Sequence, residues 1–246
     1  MIKDSLVKLY WVLERWIVPD LDWSENVYVR AVKRHVNERT RWLDLGCGHR
    51  LWWSPGQHET AQKAAFLVGL DPDVASLKQN EVIHHRVAGL DLPFRDASFD
   101  LVTANMVVEH LEDPVPVLQE IRRVLRPNGV CIFHTPNSQN WQIALGRRLP
   151  QWLKNMLILW SEGRVSEDVY PTWYRLNTSN DVDDLVVRAG LVPEQVIMVN
   201  TKIPGGILIF GPLVVFQLLW IRITHRPALR KHRNNIIAIL RRPTPA

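Results

Sequence analysis

The segment Arg41-Trp-Leu-Asp-Leu-Gly-Cys-Gly-His49 carries the residues whose types and spacing are best suited to chemistry. Asp44 lies between Leu43 and Leu45 in what reads as a buried strand, where a carboxylate is costly unless something binds it. Gly46 and Gly48 follow at alternate positions, where the strand must turn. Glycine permits positive φ and lets backbone approach a ligand with no Cβ in the way. A strand ending in such a turn, at the carboxyl edge of a parallel sheet, is where doubly wound α/β folds hold nucleotides. The third glycine of a dinucleotide fingerprint is missing, and so is the Lys-Ser or Lys-Thr of a phosphate loop. A second acid, Asp71, closes the next apolar run, Ala65-Phe-Leu-Val-Gly-Leu70, where an acid can accept hydrogen bonds from both hydroxyls of a ribose. Asp71 or Asp73 can also cap the helix expected over 73–79; if Asp73 caps it, Asp71 is left to bind.

These residues need a scaffold, and alternating strand and helix patterns supply one. Residues 5–18 read as an amphipathic helix with Leu6, Leu9, Tyr10, Leu13, Trp16 and Ile17 on one face, suited to packing on a sheet or to lying in an interface. A second helix is expected over 24–39, opened by Ser24. After the glycine turn, Arg50-Leu-Trp-Trp-Ser-Pro-Gly-Gln57 reads as a surface loop before a helix over 58–65. Strand four is expected over Phe99–Ala104, a helix over 115–125 closed by Gly129, and strand five over Val130–Phe133. Ser179-Asn180 caps a helix over 181–189, Val192–Val199 is strand six, and Asn235–Leu240 returns as strand seven. The expected fold is α/β, a doubly wound Rossmann-like sheet of seven strands, mostly parallel with an antiparallel last strand. A lid insertion follows strand five and an apolar insertion separates strands six and seven. The whole of 1–246 is then a single domain: N-terminal helices to 39, a nucleotide-binding core over 40–137, the lid over 138–178 and the apolar insertion over 203–233.

Several stretches make the chain resemble the class I S-adenosylmethionine-dependent methyltransferases, in particular the group related to ubiquinone-biosynthesis enzymes. The first is Asp44-Leu-Gly-Cys-Gly48. The most specific are Leu92-Pro-Phe-Arg-Asp-Ala-Ser-Phe-Asp100, then Glu109-His-Leu-Glu-Asp-Pro114 and Glu120-Ile-Arg-Arg-Val-Leu-Arg-Pro-Asn-Gly129. The resemblance implies S-adenosylmethionine as cofactor, its methionine end cradled by Asp44, Gly46, Cys47 and Gly48 and its ribose by Asp71 with Pro72. Asn105, at the exit of strand four, joins this set. Family members carry an acid four residues before the Leu-Pro-Phe leucine, against the adenine amino group; here that position is Ala88. Asp91, or backbone at Gly89 and Leu90, must then do that reading. The chemistry implied is in-line displacement at an activated methyl, for which alignment and exclusion of water do most of the catalysis. A base is needed when the acceptor is a hydroxyl or a carbon acid activated by one, and His110, His134, Glu109 and Tyr170 are the candidates. Either histidine can instead be structural.

Charge and hydropathy bear on the acceptor. The formal charge is +5, unevenly placed: after Glu194 there is no acid, but eight lysines and arginines. The remainder holds 22 basic residues against 25 acids, which does not describe a nucleic-acid binder. Ile203–Ile221 is uncharged for 19 residues, but Pro204-Gly-Gly206 and Gly211-Pro212 interrupt it. A single crossing would also strand strand seven away from its sheet. Shallow contact with an anionic membrane surface is expected, the alternative being packing on the lid or on a second subunit. The lid, with Trp141, Trp152 and Trp160, is apolar, and its trailing loop 163–178 is either a wall of the acceptor site or a plain capping loop. The layout resembles bacterial enzymes of lipid-linked glycan, surface polysaccharide or quinone synthesis. It implies a small-molecule or lipid-linked acceptor met at the inner face of the cytoplasmic membrane. Cys47 and Cys131 are too few for a zinc site or a disulfide framework, so no metal is expected and a reducing compartment suits them. The opposing reading is a non-catalytic S-adenosylmethionine-binding or membrane scaffold protein.

Overall fold

The computed structural model describes residues 2–19, 21–52, 55–88, 92–150, 170–202 and 211–244. In chain order the elements are α1 (Ile2–Ile17), α2 (Ser24–His35), β1 (Arg41–Leu45), α3 (Gln57–Lys63), β2 (Phe66–Asp71), α4 (Val74–Gln79) and β3 (His85–Ala88). They continue with β4 (Phe99–Asn105), α5 (Pro114–Val124), β5 (Leu125–Pro136), α6 (Trp141–Arg148), α7 (Ser179–Arg188), β6 (Val192–Val199), α8 (Gly211–Thr224) and β7 (Asn235–Arg241). Short 3₁₀ turns occupy Val108–His110 and Pro227–His232.

The seven strands form one sheet in the order β3-β2-β1-β4-β5-β7-β6. Strands β1 to β5 pair in parallel and the last strand runs antiparallel, as the strand patterns predict. The order reverses beside β1, which places the carboxyl ends of β1, β2 and β4 around one crevice. Register fixes what meets there, with Asp44 opposite Gly69 on β2 and opposite Thr103 on β4. The central strands are apolar on both faces: Leu43, Leu67, Leu101 and Ile132 are fully buried. Helix α5 buries Leu118, Ile121 and Val124 on one stripe, capped by Asp113 with Pro114 in the first turn.

The structure departs from the sequence expectations at particular places. Arg50–Gln57 is not a surface loop throughout, because Leu51 and Trp52 are each only 2% exposed. Trp52 stacks on Trp42, whose ring it shields from water. The left-handed residue before the apolar part of β5 is Asn128, at φ 65°, rather than Gly129. Gly129 is needed for close approach, since a Cβ there would lie 2.8 Å from the Arg126 carbonyl oxygen. Helix α7 is capped by Thr178, whose Oγ1 accepts from the Asp181 amide at 3.1 Å, rather than by Ser179-Asn180. The lid from 151 to 169, with Trp152, Trp160 and the first part of loop 163–178, lies outside the described residues.

By internal contact the chain divides into two units. One gathers 1–24, 137–171 and 198–235; the other gathers 25–136, 172–197 and 236–246 and contains most of the sheet. The first unit is built on α1 and α8. Tyr10, Ile17, Val18 and Trp23 pack with Val214, Leu218 and Ile221, while Leu13 and Val215 lie at the margin. The single apolar face expected for α1 therefore splits: Tyr10 and Ile17 enter the core, whereas Leu9 and Trp16 stay outside. Arg233 ties this unit together. Its guanidinium donates to the carbonyls of Thr224 (3.0 Å), Met198 (2.8 Å) and His225 (2.7 Å), among them the otherwise unpaired end of α8. Arg233→Ala should destabilise the chain by about 2–3 kcal/mol in urea denaturation, because partly buried carbonyls lose a charged donor. A change below about 0.5 kcal/mol would show that water replaces it without cost.

Candidate functional site

The site grows from the glycine turn after β1. Gly46 and Gly48 both adopt left-handed backbone, at φ 61° and 47°. A Cβ on Gly46 would stand 2.4 Å from the Val107 side chain, so this glycine is fixed by packing as well as by conformation. A Cβ on Gly48 would meet nothing within 4 Å, so this glycine presents bare backbone to open space. The amides of Gly46 and Cys47 both donate to the Leu70 carbonyl, at 2.8 and 3.2 Å, which pins the turn to the end of β2.

Asp71 holds the turn from the other side. Its Oδ2 accepts from the Gly48 amide and its Oδ1 from the Asp73 amide, each at 2.8 Å. Asp73 in turn caps α4 by accepting from the Ala75 amide at 2.9 Å, so of the two acids it is Asp73 that takes the cap. Both Asp71 oxygens are thereby oriented at the carboxyl edge, each with lone-pair capacity left for a hydroxyl.

Asp44 is 3% exposed, and among the described residues no basic side chain pairs with it. Its Oδ1 accepts from the Thr103 hydroxyl, and Thr103 Oγ1 accepts from Trp42 Nε1 at 2.6 Å. Indole is a donor only, so the hydroxyl proton is committed to the carboxylate. Burial raises the Asp44 carboxyl to about 7, the Thr103 hydrogen bond opposing and the Asp71 charge adding. Burial, then Asp44 itself, likewise pushes the Tyr28 phenol well above its ordinary value. The Cys47 and Cys131 thiols are raised by burial and are inert as nucleophiles.

Asn80 is a part of the site that sequence reasoning missed. It is fully buried, and its Nδ2 donates to the carbonyls of Cys47 and Gly48, both at 3.1 Å. Its Oδ1 accepts from the Val82 amide at 3.0 Å, and Arg86 donates to its carbonyl. Its sequence signal is slight, an asparagine just after a short helix, which ordinarily reads as a helix end. Thr103 carries no signal at all in the sequence, since a threonine in an apolar strand is unexceptional.

A second polar cluster forms past β4 and β5. Glu109 is 4% exposed, and its Oε2 accepts from the Thr135 hydroxyl at 2.9 Å. Thr135 accepts from Asn177 Nδ2 at 2.7 Å, the same donor-hydroxyl-carboxylate relay that serves Asp44. Burial raises the Glu109 carboxyl above its usual range, opposed by its backbone hydrogen bond, by His110 and by Thr135. The Glu109 carbonyl accepts from the amides of Trp173 and Tyr174, at 2.8 and 3.2 Å, which draws the described end of the 163–178 loop to this cluster. His134 stacks on Tyr28, and its Nδ1 bonds Asn105 Oδ1 at 2.9 Å. An amide oxygen only accepts, so Nδ1 carries the proton; burial lowers this imidazole to about 4 and keeps it neutral. Asn105 Nδ2 also donates to the Leu51 carbonyl at 3.3 Å.

Asp44, Gly46, Cys47, Gly48, Asp71, Pro72 and Asn105 thus all lie in one unit, on or just past the carboxyl ends of β1, β2 and β4. Glu109, His110 and His134 belong to the same unit. Tyr170 falls in the other unit and is 52% exposed. Gly89, Leu90 and Asp91 lie outside the described residues.

Comparison with known proteins agrees with this geometry. Residues 43–133 match the family model described as a methyltransferase domain. A ubiquinone biosynthesis O-methyltransferase of Cereibacter sphaeroides is 28% identical over 166 residues, covering 63% of this chain and 62% of that protein. A probable S-adenosylmethionine-dependent methyltransferase of Mycolicibacterium smegmatis is 36% identical over 120 residues, covering 46% of this chain and 44% of that protein. The chain thus spans about three-fifths or less of the length of these curated relatives. Among solved structures, an S-adenosylmethionine-dependent methyltransferase from Mesorhizobium loti superposes with a TM-score of 0.54 at 20% identity, covering 89% of this chain and 98% of that one. The [4+2]-cyclase SpnF superposes with a TM-score of 0.56 at 17% identity, over 88% of this chain and 80% of that one, so this fold carries more than one chemistry. Residues 43–133 thus resemble the methyltransferase-domain family, and the fold is one shared with solved S-adenosylmethionine-dependent methyltransferases.

The residues present fit that family's cofactor. It brings an ammonium and a sulfonium, and the site offers a buried carboxylate with no basic partner among the described residues. It also brings a ribose diol, and Asp71 presents two oriented oxygens beside the open backbone of Gly48. A cation near Asp44 favours its ionised form, so binding should release a proton. The free carboxyl sits near 7 in the folded protein, so affinity for S-adenosylhomocysteine, which keeps the ammonium, should rise with pH from 5.5 to about 7 and then level. The unfolded chain releases this proton near 4, so the free protein should lose this contribution to its stability as pH rises from about 4 to 7. Thr103→Val should move the calorimetric inflection to higher pH. A flat affinity profile from pH 5.5 to 8 would remove Asp44 from the binding site.

Proposed function

We propose that this chain transfers the methyl group of S-adenosylmethionine to a small, lipid-linked or otherwise apolar acceptor, glycan- or quinone-like, at the inner face of the cytoplasmic membrane. The observation that carries the transfer is the pair of carboxylates, Asp44 and Asp71, fixed on either side of a glycine turn at the switch point of the sheet. When bound, the cofactor supplies an already activated methyl. The protein then has to bind, orient and keep the reacting atoms dry, which is where most of the rate comes from in such a displacement.

In this reading Asp71 accepts the ribose hydroxyls, Asp44 offsets cationic charge at the methionine end, and Asn80 keeps the Gly46–Gly48 backbone in place for both. Proton handling on the acceptor falls best to Glu109. Its carboxyl is buried and raised toward the range useful for a base, and Thr135 and Asn177 hold it in one orientation. His134 is neutral but weakly basic, so it suits a hydrogen-bonding wall better than proton abstraction. His110 and Tyr170 remain further candidates for this role. The apolar character of the acceptor is supported by α8, which has one charged side chain in 14 residues, and by the acid-free basic stretch after Glu194. It is also supported by the named chemistry of the Cereibacter relative, which acts in ubiquinone biosynthesis.

The test is incubation with methyl-labelled S-adenosylmethionine and fractionated bacterial membranes, followed by solvent extraction. Label should enter the organic phase. Glu109→Gln should lower turnover by about tenfold to a thousandfold, with S-adenosylhomocysteine affinity within twofold of wild type. Binding without transfer to any fraction would favour a non-catalytic cofactor-binding protein, and label in protein or nucleic acid would contradict the acceptor class.

A further inference from the structure

The helix pair of the first unit is apolar well beyond the seam it shares. On α1, Leu9 (54% exposed), Val12 (61%) and Trp16 (77%) recur at three- and four-residue spacing and form an outward stripe beside the buried Tyr10 and Ile17. On α8, Val214, Leu218 and Ile221 face inward, while Phe216, Leu219 and Ile223 repeat at the same spacing on the opposite side, each 43–51% exposed. Phe216 also meets Trp141 edge-on, with ring centroids 5.7 Å apart, yet half of it stays exposed. Leaving six such side chains partly in water forfeits burial of the kind that stabilises a core, and patches of this extent ordinarily mark a contact surface.

Cations border the patch. Lys8 and Arg15 flank the α1 stripe and are exposed. The Lys202 ammonium lies 5.1 Å above the ring of Trp11, itself 44% exposed, which sets a charged head beside an indole as at a membrane interface. Arg222, Arg226, Arg230 and Lys231 follow without an intervening acid. The unit as a whole carries 13 lysines and arginines against seven acids, a formal +6, whereas the unit with the sheet stands at −1.

We infer that the outward faces of α1 and α8 form one docking surface for an anionic lipid bilayer, with the N-terminal helix an equal partner to the apolar insertion. Charge selects this occupant. A symmetric second copy would bring two net-positive units together, whereas anionic lipid neutralises them while the bilayer covers the apolar stripes. Length selects the depth. Helix α8 spans roughly 21 Å against a hydrocarbon core of about 30 Å, and among the described residues no helix is long and apolar enough to cross a membrane. The helices therefore lie in the interface plane. The inference gives the proposed apolar acceptor a route to the protein, but it stands on the helix faces alone.

Flotation of the full chain tests it, using vesicles of phosphatidylcholine with or without about 30% phosphatidylglycerol, a composition chosen to give a strongly anionic surface. The wild type should float with the anionic vesicles at low salt and less so at high salt, with weaker binding to the neutral ones. Leu9→Ser with Trp16→Ser, and separately Phe216→Ser with Ile223→Ser, should each weaken partition by about tenfold or more, with the thermal shift on S-adenosylhomocysteine unchanged. If either pair fails to fold, quenching of wild-type tryptophan fluorescence by brominated phosphatidylglycerol decides the matter without a variant. A wild type that stays with the soluble fraction and is not quenched overturns the inference. So does a dimer in solution that the serine pairs dissociate, because the face would then join two copies. Flotation needs no methyl transfer, so intact flotation without labelled product would retire the proposed acceptor and leave the docking surface standing.

Discussion

A buried carboxylate that no cation pairs among the described residues organises this protein. Asp44 is held inside the sheet by one hydroxyl, that hydroxyl is aimed by Trp42, and Trp52 lies across Trp42 to keep water away. Sequestering an acid in this way costs free energy, which the fold recovers only when positive charge arrives. Asp71 sharpens the arrangement by adding a like charge nearby while holding the Gly48 amide and so shaping the loop. In the proposed reading, the two acids and the turn between them receive a ligand that is cationic at one end and carries a diol further along. The parallel register of β1, β2 and β4 sets the spacing of those features.

The same relay occurs twice. A donor fixes a threonine hydroxyl, which fixes a buried acid: Trp42, Thr103 and Asp44 on one side, Asn177, Thr135 and Glu109 on the other. In each case the threonine has its proton committed, so the carboxylate is oriented before any ligand comes. Such preorganisation is what an alignment-dominated displacement asks of its protein. The first relay sits where the family's cofactor fits, and the second joins the loop that brings Trp173 and Tyr174 to Glu109.

Much of the fold was legible because its signals are local: alternating apolar runs, the acid-glycine turn and Asp73 as a cap. Where the sequence misled, long-range contact was the cause. Leu51 and Trp52 look like loop residues and are buried, because Trp42 offers a ring to stack on and Asn105 holds the Leu51 carbonyl. Asn80 looks like a helix end and is a clamp on a turn more than thirty residues away. The α1 periodicity was read as one face, but α8 covers only part of it. The strongest stretch of family resemblance, Leu92–Asp100, proves to be architectural. Arg123 binds the carbonyls of Leu92 and Phe94 and the carboxylate of Asp96, and Arg126 pairs with Asp100. Two of the motifs that carry the family resemblance therefore hold each other.

The most direct measurement of the central claim is calorimetric titration of S-adenosylhomocysteine into the full chain, with NAD as the competing ligand and Asp71→Ala as the variant. One saturable site for S-adenosylhomocysteine, weakened at least tenfold by Asp71→Ala and indifferent to NAD, is the predicted result. Heat from NAD in place of S-adenosylhomocysteine, or unchanged affinity in Asp71→Ala, would contradict the assignment of the Asp44–Asp71 crevice as the cofactor site.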